Sequence, residues 1–198
     1  MTLAAADSTV VELHTRAVVA FTALVRVVPQ DAWSGKTPCS EWDVRGLVNH
    51  VAGEELWTAP LLEGRTISEV GDRYDGDVLG GSPSDAVESA AKSAVAAFEA
   101  PGATRRTVHL SFGDTPATEY AMQLVADHVV HGWDLAVAIG ADAHIEDALV
   151  AAVAAWYAER ERLYRGAGAV GERPGVPAST AQDALLVAFG RDPSWTPA

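Results

Sequence analysis

The chain has 198 residues, 48 % of them hydrophobic, which is enough for one domain (residues 1–198) with a sizeable core. A formal net charge of −13 at pH 7 argues against a surface of clustered Lys and Arg, so neither nucleic acid nor an anionic membrane is an expected partner. A single cysteine, Cys39, rules out an intrachain disulfide framework. No apolar run approaches the roughly 18 residues of a membrane span, and the first residues, Met1 to Ser8, lack the basic n-region of a signal peptide. A cytoplasmic protein is expected.

The alanine-rich composition favours helices. Thr9-x-x-Glu12 is a capping-box pattern that opens an apolar period at Val10, Leu13, Ala17, Phe21, Leu24 and Val28, predicting a first helix that ends before Pro29. Turn formers fill residues 30–40. Ser40 or Asp43 then caps a predicted second helix, which runs through His50 to about Pro60. Residues 61–82 are rich in Gly and Asp and read as a long loop with room for a short helical turn. A third helix follows Ser82-Pro83 and stops at Pro101-Gly102, and residues 106–112 read as a short extended segment. Thr115-Pro116 forms an N-cap with Pro at the first helical position of a fourth helix, which reaches Ile139 and has Gly140 as its C′ residue. A fifth helix is predicted over about 146–165, then a Gly/Pro linker to Ala178, and a short last helix opened by Ser179-x-x-Gln182 that closes at Gly190-Arg191-Asp192-Pro193.

Long helices with modest connections predict an all-α helical bundle, and such bundles build metal sites from side chains on facing helices. Asp127 and His131 stand at i and i+4 and so project from one face of the fourth helix. His50, on the second helix, would complete a three-ligand site with one open position, the arrangement of catalytic zinc. The plain structural alternatives are an Asp127–His131 ion pair within the helix and a hydrogen-bonded core histidine at position 50. His128 and Glu54 compete as ligands. Asp134, three residues after His131, could accept a second-sphere hydrogen bond and fix the imidazole tautomer, or be a surface charge. Trp42, Trp57, Trp133 and Trp156 are read as helical packing residues, Cys39 as an inert thiol, and His14, His109 and His144 show no ligand spacing. No residue is assigned a catalytic role, and phosphate-loop, G-x-S-x-G, H-E-x-x-H and CxxC motifs are missing from the sequence.

Thr37-Pro38-Cys39, Glu41-Trp42-Asp43-Val44-Arg45 and Leu47-x-x-His50 resemble the N-terminal domain of mycothiol-dependent maleylpyruvate isomerases. His131-Gly132-Trp133-Asp134-Leu135-Ala136 is similar to the second signature of that group, and Phe189-Gly190-Arg191-Asp192-Pro193 to the ends of related actinobacterial proteins. The resemblance implies a DinB-like four-helix bundle with a short additional C-terminal helix, holding a divalent metal, zinc being expected, at His50, Asp127 and His131. The family acid is glutamate, and here Asp127 is one methylene shorter. The isomerase has a further C-terminal domain, whereas only a short last helix follows the bundle here, so isomerisation of maleylpyruvate itself is not expected. The resemblance points instead to an S-transferase or isomerase-like enzyme that uses a low-molecular-weight thiol, mycothiol or a counterpart, with a small electrophile as the other partner. A non-catalytic metal- or ligand-binding bundle and a metal-dependent hydrolase are the alternatives. Either a monomer or a homodimer suits a bundle of this size.

Overall fold

The computed structural model describes residues 3–197. Among them the order is α1 (Leu3–Val25), α2 (Val44–Leu62), α3 (Ile67–Val70), α4 (Pro83–Glu99), a 3-10 turn (Ala103–Arg105), the strands β1 (Thr107–Leu110) and β2 (Gly113–Pro116), α5 (Ala117–Ile139), α6 (Asp147–Ala158), α7 (Glu161–Gly166) and α8 (Ala181–Ala188). This is the all-α, DinB-like architecture, with β1 and β2 as its one small antiparallel hairpin among the described residues. No helix among them is long and apolar enough to cross a membrane.

Internal contacts define two compact units, Met1–Val27 with Val48–His128, and Val28–Leu47 with Val129–Ala198. Helices α2 and α5 contribute residues to both. In the first unit the four long helices share one hydrophobic cluster: Val10 of α1, Leu61 and Leu62 of α2, Phe98 of α4, and Ala117, Tyr120, Ala121 and Leu124 of α5, joined by Val108 of β1. Helix α1 packs along α4. The segment between α2 and α4 is held by Asn49, whose amide donates to the Gly76 carbonyl (2.9 Å) and whose oxygen accepts from the Val78 N–H (2.8 Å). Arg106 donates to the carbonyl of Leu62 at the end of α2.

In the second unit α6 packs against α8, with Tyr157 stacked on Phe189 at a ring separation of 4.0 Å. Glu161 accepts both from Arg173 and from Arg165, and Arg165 also donates to the Ala188 carbonyl, tying α7 to the end of α8. The segment ahead of α2 is folded tightly on itself. The Thr37 hydroxyl lies 2.9 and 2.8 Å from the carbonyls of Cys39 and Trp42, and Asp43 caps α2 by accepting from the Gly46 N–H at 2.7 Å.

Several local expectations are corrected. Helix α1 begins at Leu3, so Thr9 and Glu12 lie inside it; the run Ala4-Ala5-Ala6 is good helix former and carries the helix past the capping-box pattern. Trp42 lies in the turn before α2 rather than within a helix. Thr115 and Pro116 end β2, with Thr115 paired to Val108, and α5 starts at Ala117; the extended segment is the first half of a hairpin. The fifth helix is two, broken at Glu159-Arg160, where Arg160 donates to the Trp156 carbonyl and lies over the Trp156 ring, satisfying the end of α6. The last helix is capped one residue later than expected, by a reciprocal Thr180–Asp183 box.

Phe98 is 2 % exposed at the centre of the first unit's core. Phe98→Ala should lower unfolding free energy by about 3–5 kcal/mol, the usual range for an aromatic truncated in a packed core. Chemical denaturation that returned less than about 1 kcal/mol would show that this cluster does not carry the unit.

Candidate metal centre

Helix α5 is buried over almost its whole circumference between Leu124 and Ala136, yet that stretch carries Asp127, His128, His131 and Asp134. Burying ionisable groups is costly unless each one is paired. Asp127 meets His50 of α2, whose Nε2 lies 3.4 Å from Oδ1 and 3.3 Å from Oδ2. One turn further on, His131 faces the same way, and one ligand atom from each of His50, Asp127 and His131 lies within 4.8 Å of the other two. The three residues expected from the sequence are therefore brought together.

The donor set suits a divalent ion of borderline character. Two imidazoles and a carboxylate are usual zinc ligands, with bonds of about 2.0–2.2 Å. A tetrahedron with such bonds has edges of roughly 3.3–3.5 Å, close to the His50–Asp127 separation of 3.3 Å. The tautomer of His131 is also set. Its Nδ1–H donates to Asp134 Oδ2 at 3.0 Å, which leaves Nε2 as a lone-pair donor. Asp134 is fully buried, and its charge is met by Arg191, whose Nε and Nη2 donate to the carboxylate at 2.8 to 3.2 Å. The Trp42 ring lies against the His131 imidazole, 5.4 Å between centroids.

The competing ligands are otherwise occupied. His128 is fully enclosed: its Nδ1–H donates to the Leu124 carbonyl at 2.7 Å, and its Nε2 shares a proton with Glu55 Oε1 at 2.9 Å. Burial on its own lowers the affinity of His128 for a proton, but the hydrogen bond and charge of Glu55 outweigh it and raise the pKa. Burial pushes the Glu55 carboxyl up, partly offset by His128. Glu54 is not part of the convergent group. Burial also pushes the Cys39 thiol up, and the positive charge of Arg191 offsets only part of that. Cys39 is thus held as a thiol rather than a thiolate.

Glu55, Trp42 and Arg191 were missed in the sequence. Glu55 meets His128 across 73 residues, and no local spacing links them. Trp42 was read as a packing residue of a helix. Arg191 could have been suspected from the need of a buried Asp134 for a cation, but nothing in the spacing selects Arg191 among the arginines.

Residues 14–136 match the mycothiol maleylpyruvate isomerase N-terminal domain, and the chain belongs to that family. Its relatives include two uncharacterized proteins of Mycobacterium tuberculosis, MT0763 of strain CDC 1551 / Oshkosh and Rv0738 of strain H37Rv. Each is 34 % identical over 185 residues, covering 90 % of this chain and 95 % of the relative. No solved structure matches the chain significantly.

His14 gives a pH signature to the same interior. It is fully buried, neither ring nitrogen has a hydrogen-bond partner, and burial together with the nearby His128 lowers its pKa to about 3. The unfolded chain binds this proton near pH 6.5, whereas the folded chain does not until about pH 3. Stability is therefore full above pH 6.5 and falls as the pH drops toward 3, by about 1.4 kcal/mol per pH unit from this group. His14→Leu should flatten the acid limb of a stability-against-pH curve by about that slope; an unchanged limb would show that His14 is hydrated or paired in solution.

Proposed function

We propose that His50, Asp127 and His131 hold a divalent metal, zinc by donor type, and that the protein is a thiol-dependent S-transferase or isomerase-like enzyme. The observation that carries this reading is the convergence of the three ligand atoms within 4.8 Å, with His131 already locked in the ligating tautomer. Membership of a mycothiol-associated family supports a low-molecular-weight thiol as one substrate. A small electrophile is the other.

The chain's own groups do the preparing. The two histidines are neutral donors and Asp127 supplies one negative charge, so the ligand set carries −1 and a dication leaves room for one further anion. Held by His50, Asp127 and His131, a divalent ion would supply the positive charge that lowers the pKa of a thiol, so that the thiol could release its proton to solvent and present the nucleophilic thiolate. Asp134 keeps the His131 ring oriented, and the Trp42 ring packs against it at a tilt. Trp42 also lines a pocket of about 540 Å³ with Trp195, Lys36 and Thr37. Burial pushes the Cys39 thiol up, which disfavours its thiolate.

The test is metal analysis of untagged wild type and His131→Ala, with thiol-conjugation assays on wild type and His50→Ala. Close to one metal per wild-type chain, lost in His131→Ala, is expected. His50→Ala should lose more than about 100-fold in thiol-dependent rate, since removing a ligand exceeds the loss seen for a supporting hydrogen bond. Wild type that takes up no zinc even when it is supplied would overturn the proposal and leave a non-catalytic bundle.

A further inference from the structure

Arg191 lies 57 residues beyond Asp134 in the chain, outside the matched family segment, yet it grips the carboxylate that orients a candidate ligand. Its position is dictated by the end of α8. Arg191 N–H donates to the Leu186 carbonyl at 2.9 Å and Gly190 N–H to that of Val187 at 3.0 Å, the two bonds of a Schellman ending. Gly190 has φ +77°, and a Cβ there would stand 3.1 Å from the Gly171 carbonyl oxygen and 3.2 Å from that of Glu172. Only glycine makes this turn without displacing the 171–172 backbone. The turn aims the guanidinium so that Nε and Nη2 fork onto Asp134 while Nη1 donates to the Phe189 carbonyl at 3.1 Å.

We propose that Arg191 is a positioning residue for the metal centre: it acts through Asp134 to hold His131 in the Nδ1–H tautomer with Nε2 turned to the metal. The physical argument is one of competition. Asp134 is fully buried with two oxygens, and Oδ2 accepts from both Arg191 and His131. The guanidinium fork fixes the plane of the carboxylate, so Oδ2 is held within reach of His131 Nδ1–H. Without Arg191 the carboxylate can rotate, and the tautomer of His131 is no longer imposed. The last turn of the second unit thereby tunes a ligand a long way back in the sequence. This inference rests on the metal reading for its effect on affinity, but the arrangement of His131 can be read without any metal.

The experiment uses the full chain as wild type, Arg191→Met, Arg191→Lys, Asp134→Asn and the Asp134→Asn/Arg191→Met double variant, each checked for folding by circular dichroism. Two quantities are measured: the His131 tautomer by nitrogen NMR on metal-free protein at a pH where imidazole is neutral, and zinc affinity by chelator competition. Arg191→Met should lose the dominance of the Nδ1–H form and bind zinc about 10-fold more weakly, and Asp134→Asn about 10- to 100-fold more weakly. Arg191→Lys should fall between, because lysine restores the charge but not the fork. The double variant should match Asp134→Asn within about 3-fold, as expected for two residues acting in series. A folded Arg191→Met with unchanged tautomer and zinc affinity, or losses that multiply in the double variant, would overturn the proposal. If Arg191→Met does not fold, Arg191→Lys gives the same comparison. If wild type binds no zinc, the metal reading fails, while the tautomer measurement still decides whether Arg191 positions His131.

Discussion

Everything in the site follows from one constraint: α5 takes Asp127, His128, His131 and Asp134 into the interior within two turns. An unpaired charge in such surroundings costs several kcal/mol, so each of the four dictates a partner. His128 is answered by Glu55, Asp134 by Arg191, Asp127 by His50, and His131 is held by Asp134. Those partners come from α2 and from the turn after α8. The apolar cluster around Phe98 and Leu124 and the Tyr157–Phe189 stack keep the elements that carry them in place.

The four groups divide by chemistry. His128 and Glu55 form a closed pair: both are shut off from solvent, and His128 uses its two nitrogens on protein partners. His50 and His131 differ: His50 turns its Nε2 to Asp127, and one ring nitrogen of His131 lies within 4.8 Å of the ligand atoms of both. A helix presenting Asp and His at i and i+4 turns the intervening histidine to a different face by rotation alone. Asp127, for all its shorter side chain, lies 3.3 Å from His50, while the two nitrogens of His128 are engaged by Leu124 and Glu55.

Much of this was legible in the sequence, and the reasons are local. The i, i+4 spacing of Asp127 and His131 fixes their common face, and the three-residue step to Asp134 places a carboxylate within reach of His131 Nδ1. The long helices are set by apolar period and by Ser82-Pro83 and Gly140 as boundaries. What the sequence did not disclose depends on contacts far apart in the chain or on competition between signals. Arg191 and Glu55 reach α5 across 57 and 73 residues. The hairpin claims Thr115-Pro116 from the helix because Thr115 pairs with Val108. Thr9 and Glu12 carry a start signal that the alanines before them override, and Thr180 with Asp183 displaces Ser179 with Gln182 by forming both bonds of the box.

A metal held as proposed by His50, Asp127 and His131 has two imidazoles and one carboxylate around it, and no protein sulfur. X-ray absorption at the zinc edge on the loaded chain reads that shell directly. Only nitrogen and oxygen at about 2.0–2.1 Å are expected, with outer-shell scattering from two imidazole rings and one further light ligand in the open position. A protein sulfur at about 2.3 Å, which would bring in Cys39, or a third imidazole, which would bring in His128, would contradict it.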